Sequence, residues 1–181
     1  MRKEIKNGLV KTYHDETIHY FDIEKEEWDF EYYPLKEEVP LKKGKKHGSY
    51  KSYYPYGQLQ EEGTYKNGKK DGPYKRYHKP SYKQEGVLFG EGTYKNGEDH
   101  GFFKSYYSNG KLHKELNYKN GKLDGPFKSY YPNGKIKEQG NLKNNELHGP
   151  FKTYHKKGRL KQEGTFKDGE VTLFSSKNSK K

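Results

Sequence analysis

DGPFKSYYPNGKIKEQGNLKNNEL, residues 124–147, decides the fold, because near-copies of it fill most of the 181-residue chain. Gly125 can open a strand, and Phe127-Lys128-Ser129-Tyr130-Tyr131 has the aromatic and small-residue character of a pleated segment. Pro132-Asn133-Gly134-Lys135 is turn chemistry, so the chain folds back there. Ile136 to Lys143 supplies the return strand, and Asn144-Asn145 occupies the place where the other copies carry Asn-Gly, a second tight turn into the next unit.

The opening glycine recurs at Gly48, Gly72, Gly101, Gly125 and Gly149, at spacings of 24, 29, 24 and 24 residues. A fixed period of this length marks a repeat array. The long interval is accounted for by an insertion of about five residues between Lys79 and Leu88, near Pro80-Ser81-Tyr82, where the turn of the second unit falls. Gly8-Leu9-Val10-Lys11-Thr12-Tyr13-His14 matches Gly149-Pro150-Phe151-Lys152-Thr153-Tyr154-His155, so a sixth, divergent unit precedes the five. Its interior holds two strand-like runs, Ile18 to Ile23 and Trp28 to Tyr33. Three regions follow: a divergent acidic N-terminal capping repeat at 1–47, five repeats at 48–171, and a basic, disordered tail at 172–181.

Composition alone points elsewhere. Leu, Ile, Val and Phe number only 29 and the net charge is +12, values typical of a disordered chain. Against that stand 19 Tyr and nine Phe, placed at fixed positions of the repeat where each can bury a ring. The expectation is a folded all-β chain, a stack of about twelve strands without a closed core in which neighbouring units stabilise one another. No cysteine is present, and neither a secretory signal nor a membrane-spanning run is visible. A cytoplasmic location is expected, or a secreted or periplasmic one had a leader been removed.

Pairing the strands across Pro132 to Lys135 sets Tyr131 opposite Ile136, Phe127 opposite Gly140 and Lys128 opposite Gln139. Phe127, Tyr131 and Ile136 then share a packed face with the small residues, and Tyr130 lies exposed on the other. That other face carries Lys51 and Tyr53, Lys75 and Tyr77, Lys104 and Tyr106, Lys128 and Tyr130, Lys152 and Tyr154. Glu62, Glu91, Glu115, Gln139 and Glu163 lie across from the lysines, four of the five as opposite-charge pairs. These ten Lys and Tyr positions form the candidate partner-binding strip.

Catalytic constellations are not assembled by this sequence, and neither enzyme activity nor a cofactor is expected. His47, His100 and His148 share one repeat position, with Asp71 and Asp124 between them. Successive units separate equivalent positions by about 9 to 10 Å, too far for ligands of one metal ion, so no metal site is expected and a polar residue before a turn glycine is the simpler reading. Ten acidic residues and two lysines between Asp15 and Glu38 give that segment a net −8 and leave +20 elsewhere, and its carboxylates lack loop-like ligand spacing.

The runs YKNGKKDGPY at 65–74 and YKNGKLDGPF at 118–127 resemble the MORN repeat, specifically its bacterial variant, found in proteins often called YwqK-family antitoxins. The resemblance covers about residues 42 to 171. It implies an elongated single-layer antiparallel sheet of consecutive β-hairpins that acts in protein association or at membrane surfaces, and the antitoxin label implies a partner protein that is neutralised. The functional expectation is a non-enzymatic scaffold for protein–protein interaction. The alternative is an anionic-surface binder using repeat and tail lysines on lipid headgroups, with nucleic acid disfavoured and self-association left open.

Overall fold

The computed structural model describes residues 3–6, 8–14, 18–22, 27–32, 35–79 and 86–176, for 18–22 and 27–32 the backbone alone. The carboxylates between Asp15 and Glu31, the insertion at 80–85 and the tail at 177–181 fall outside the described residues.

Each unit is built as residues 124–147 imply. The opening strand Gly125–Tyr130 pairs with the return strand Ile136–Lys143, and the two-residue strand Glu146–Leu147 folds back on the end of that return strand. Both turns have the backbone their residues favour. Gly134 has φ +83° and its N–H bonds to the Tyr131 carbonyl, a three-residue hairpin loop. Asn144 and Asn145 have φ +51° and +75°, so the Asn-Asn pair occupies the left-handed conformations that Asn-Gly fills in the other units. After Glu146–Leu147 the chain kinks at His148 and continues as Gly149–Tyr154, which pairs with the same return strand and opens the next unit.

Repetition of this step gives one open antiparallel sheet of 19 strands, five of which are the two-residue pieces. The remaining fourteen pair in chain order, two more than the expected twelve, because Lys3–Lys6 and Glu170–Ser176 add an edge strand at either end. The last strand therefore runs on past residue 172, where the tail was expected to begin. In the N-terminal unit Leu9–Tyr13 pairs with Leu35–Lys42, and the two expected runs form a separate hairpin, Ile18–Asp22 with Glu27–Tyr32, between them. The second unit's strand stops at Tyr77 and the return strand begins at Leu88, with the His78 N–H bonded to the Val87 carbonyl at 2.8 Å, so the two strands stay joined up to the residues that flank the insertion.

The expected register holds for Phe127 with Gly140 and Lys128 with Gln139, but not for Tyr131 with Ile136. A bulge after Ser129 makes Tyr130 the partner of Ile136, and Tyr131 instead leaves the ladder to start the turn, donating its N–H to the Lys135 carbonyl. The same shift recurs after Ser52, Arg76, Ser105 and Thr153, so it belongs to the repeat.

One face of the sheet is packed. Tyr50 lies against Val10 and Val39, with Leu41 and Tyr65 at the margin, and Tyr74, Tyr94 and Phe103 form a second cluster. Tyr74 stacks on Tyr94 at 4.2 Å between centroids, and Phe127 and Phe151 continue the row at 6.3 Å. Glycines make this packing feasible. A Cβ on Gly140 would lie 3.1 Å from both Phe127 and Phe151, so the two rings lie over bare backbone. The expected contrast within the unit is softened, however. Phe127, Tyr130, Tyr131 and Ile136 are all half-buried, because a one-layer sheet has no second layer to close over them and because the Tyr130 hydroxyl is drawn down onto its neighbour. Full burial falls on Tyr50, 2 % exposed, and Ser129, also 2 %.

Candidate functional site

The face opposite the packed rings follows from alternation along each strand. Counting across the sheet from its N-terminal edge, the paired residues run Glu4, Lys11, Glu38, Lys51, Glu62, Lys75, Glu91, Lys104, Glu115, Lys128, Gln139, Lys152, Glu163. One residue comes from each of the first thirteen strands, and within these the signs alternate with a single interruption at Gln139; the last strand ends the row with the uncharged Ser175. The sequence showed the pairs within a unit. The pairs between units, such as Glu38 with Lys51 and Glu91 with Lys104, depend on how one hairpin meets the next.

Ion pairing is not what these carboxylates do. Of the five expected cross-strand pairs, only Lys152 and Glu163 approach within ion-pair distance, at 3.3 Å. The others turn to the tyrosines. Tyr53 donates its hydroxyl to Glu38 at 2.8 Å, Tyr77 to Glu62 at 2.7 Å, Tyr106 to Glu91 at 2.7 Å and Tyr130 to Glu115 at 2.5 Å. Each bond ties a strip tyrosine to the unit before it. Burial, then the bond to the carboxylate, pushes all four hydroxyls up to about 12. Tyr154 differs: its oxygen accepts a hydrogen from Gln139 Nε2 at 3.1 Å. Lys51, Lys75, Lys104 and Lys128 are exposed and make no hydrogen bond or ion pair among the described residues.

A shallow trough of about 860 Å³ runs along this face over the N-terminal half of the sheet. Lys51, Lys75 and Lys104 line it, alternating with Glu38, Glu62 and Glu91. Pro40, Pro73 and Phe102 border it, and its floor includes Gly63 and Gly92. Three strip lysines are thus brought together in one concavity, whereas Lys128, Lys152 and the five strip tyrosines do not line it. Phe102, 73 % exposed, is the residue that the sequence reading missed. It replaces a proline or serine at this repeat position, Ser49, Pro73, Pro126 and Pro150, and that departure is the available signal.

On the packed face a second polar group is assembled. Glu61, 7 % exposed, receives bonds from the Tyr50 hydroxyl, Lys70 Nζ and Arg76 Nε, the last at 2.6 Å. Burial alone would raise its carboxyl, but those three donors hold it below the ordinary carboxylate range. Arg76 also stacks on Tyr74, 4.6 Å from its centroid, and Lys70 lies 4.9 Å over Tyr50. Gly90, Lys114, Glu138 and Gln162 take the place of Glu61 in later units, so the cluster is local.

Of the three histidines at the shared repeat position, His47 and His148 have hydrogen-bond partners, whereas His100 Nδ1 is buried and has none among the described residues. His47 Nδ1 faces the Asn67 N–H at 3.4 Å, His148 Nδ1 faces the Asp168 N–H at 3.4 Å, and Asp71 accepts from the Asn96 N–H at 3.1 Å, each at the next unit's tight turn. At the other side of the sheet His14 and His78 reach the Tyr53 and Tyr106 carbonyls at 3.0 and 3.1 Å, as Tyr54, Tyr107 and Tyr131 reach those of Tyr77, Tyr130 and Tyr154. Both turn regions are therefore clasped from one unit to the next.

The MORN repeat variant matches residues 46–67, 99–120, 123–144 and 147–168. Four stretches of the chain are thus similar to this repeat, and in the unmatched stretch 68–98 the strands Gly72–Tyr77 and Leu88–Lys95 pair as those of the matched units do. Comparison with curated proteins found no match.

Proposed function

We propose that this chain is a non-enzymatic repeat scaffold that holds an extended segment of a partner protein across the lysine and tyrosine face, in the manner of an antitoxin or immunity protein that neutralises what it binds. MORN repeats suggest a repeat scaffold, commonly one that binds partners or membranes, and the family is generally non-catalytic. The observation that carries the reading is the trough bordered by exposed Phe102 and lined by Lys51, Lys75 and Lys104, beside a row of tyrosines whose hydroxyls are already fixed. An anchored aromatic row loses little conformational entropy on binding, and an apolar rim beside alternating charge suits an extended, mixed-sequence segment.

The anionic-surface alternative is favoured by one observation, the ammonium groups of Lys51, Lys75, Lys104 and Lys128, exposed and unpaired among the described residues. Salt separates the two readings. Partner capture should survive from 0.1 to 0.5 M salt and fall at least tenfold both for Phe102→Ser and for a Tyr106→Ala, Tyr130→Ala double variant. Capture that collapses with salt and ignores these substitutions would establish the anionic surface. Capture that survives salt yet ignores them would move the contact to another part of the sheet.

A further inference from the structure

The single interruption in the alternating row defines a smaller site. Gln139 stands where every other acidic position of the row carries a carboxylate, and Lys128 and Lys152 flank it, each one strand, about 4.8 Å, away. Neither lysine is bonded to it among the described residues. Lys128 is exposed and unpaired among the described residues, while Lys152 Nζ lies 3.3 Å from Glu163 on its other side. At Tyr53, Tyr77, Tyr106 and Tyr130 the hydroxyl hydrogen is committed to a glutamate. At Tyr154 the oxygen instead receives a hydrogen from Gln139, which leaves its own hydrogen for an outside acceptor.

We propose that this gap receives an acidic side chain from the bound protein segment, an Asp or Glu carboxylate that sits over Gln139 and completes the row. There it meets the unpaired Lys128 ammonium and the Tyr154 hydroxyl donor, with Lys152 able to turn to it from Glu163, a convergence that no other position of the row offers. Charge complementarity selects a single projecting carboxylate over a flat anionic surface. Such a surface would also press on Glu115 and Glu163, the acidic neighbours beyond the two lysines, and be repelled by them. The proposal rests on the reading that this face binds protein, and it names the chemistry that one point of the face recognises.

The test uses the full chain and N-acetyl tetraglutamate amide as the probe, followed by nuclear magnetic resonance titration. Shifts should centre on the Gln139 side-chain amide and the Lys152 and Tyr154 backbone. Gln139→Glu supplies the missing carboxylate from within and should weaken binding about tenfold or more. It should leave the fold intact, since the new charge lies between two lysines. Asn67→Asp, the same change in net charge at a distant turn, should stay within about twofold. Equal weakening by both variants, or shifts centred on Lys156 and Lys157, would overturn the proposal. Phosphatidylserine vesicles form the second arm. Loss of vesicle binding specific to Gln139→Glu, with tetraglutamate unaffected, would make the occupant a lipid phosphate and also overturn it. If the Phe102 and tyrosine variants abolish partner capture while tetraglutamate ignores Gln139→Glu, the face stands and this site falls.

Discussion

Glu61 illustrates what a single position can do in a sheet that has only one packed face. Its carboxylate is held by Tyr50, Lys70 and Arg76 among aromatic rings, and the side chains of the two cations are only 30 % and 33 % exposed. Glu61→Gln keeps the shape and removes the charge, leaving both cations without a counter-ion. The cost expected at neutral pH is about 2 kcal/mol, below the figure for a fully buried pair because water reaches both cations. The pH dependence has a definite sign. A carboxyl held below its unfolded value, about 4.3, contributes stability that is present above that value and lost as pH falls through the lower folded one. The difference in urea-unfolding free energy between the natural chain and Glu61→Gln should therefore be constant from pH 5 to 8 and close below about pH 4. A difference that persists undiminished at pH 3 would mean that the charge is not the source. The sequence did not reveal this cluster, because Lys70 and Arg76 belong to different strands and to a unit boundary that no local pattern specifies.

At the scale of the hairpin, much was legible and one step was not. Both turns, the pairing of Phe127 with Gly140 and the sharing of a face by the rings follow from alternation and from turn residues. The bulge after Ser129 does not, because its signal is only a mismatch between turn length and strand period. The tyrosine hydroxyls were misjudged for a related reason. Glu115 faces Lys128 by register, but the hydroxyl of Tyr130 reaches its carboxylate from the same strand as that lysine and takes it. Glycine gives a direct test of the backbone. Gly125 has φ +120°, and a Cβ there would come within 2.6 Å of Asn117 Nδ2, whereas Gly134 has φ +83° with open space around it. Alanine at Gly134 should cost about 1 kcal/mol from backbone conformation alone. At Gly125 it should cost about 2 kcal/mol or more, since Asn117 must also give up its 2.6 Å bond to the Asp124 carbonyl. Equal losses in urea denaturation would show that the opening of the unit tolerates a side chain.

For the whole molecule, the period of the glycines was enough to specify an open array, while the edge strands and the charge alternation across the units, with its gap at Gln139, emerge only when the units meet. The array is held by contacts that repeat from unit to unit: turn clasps at His47, Asp71 and His148, and hydroxyl bonds from Tyr53 through Tyr130 to the preceding glutamate. Such a chain has no centre, and its stability is close to a sum over neighbouring units. The face proposed for binding is as long as the sheet, so the one missing charge at Gln139 can mark a particular point on it. The most direct test is small-angle scattering of the monomer in solution. Fourteen strands at about 4.8 Å give a sheet about 62 Å long, and a single layer of that length has a radius of gyration of about 19 Å or more. A value near 16 Å, that of a compact globule with this number of residues, would contradict the single-layer sheet and with it the exposed face on which the function is placed.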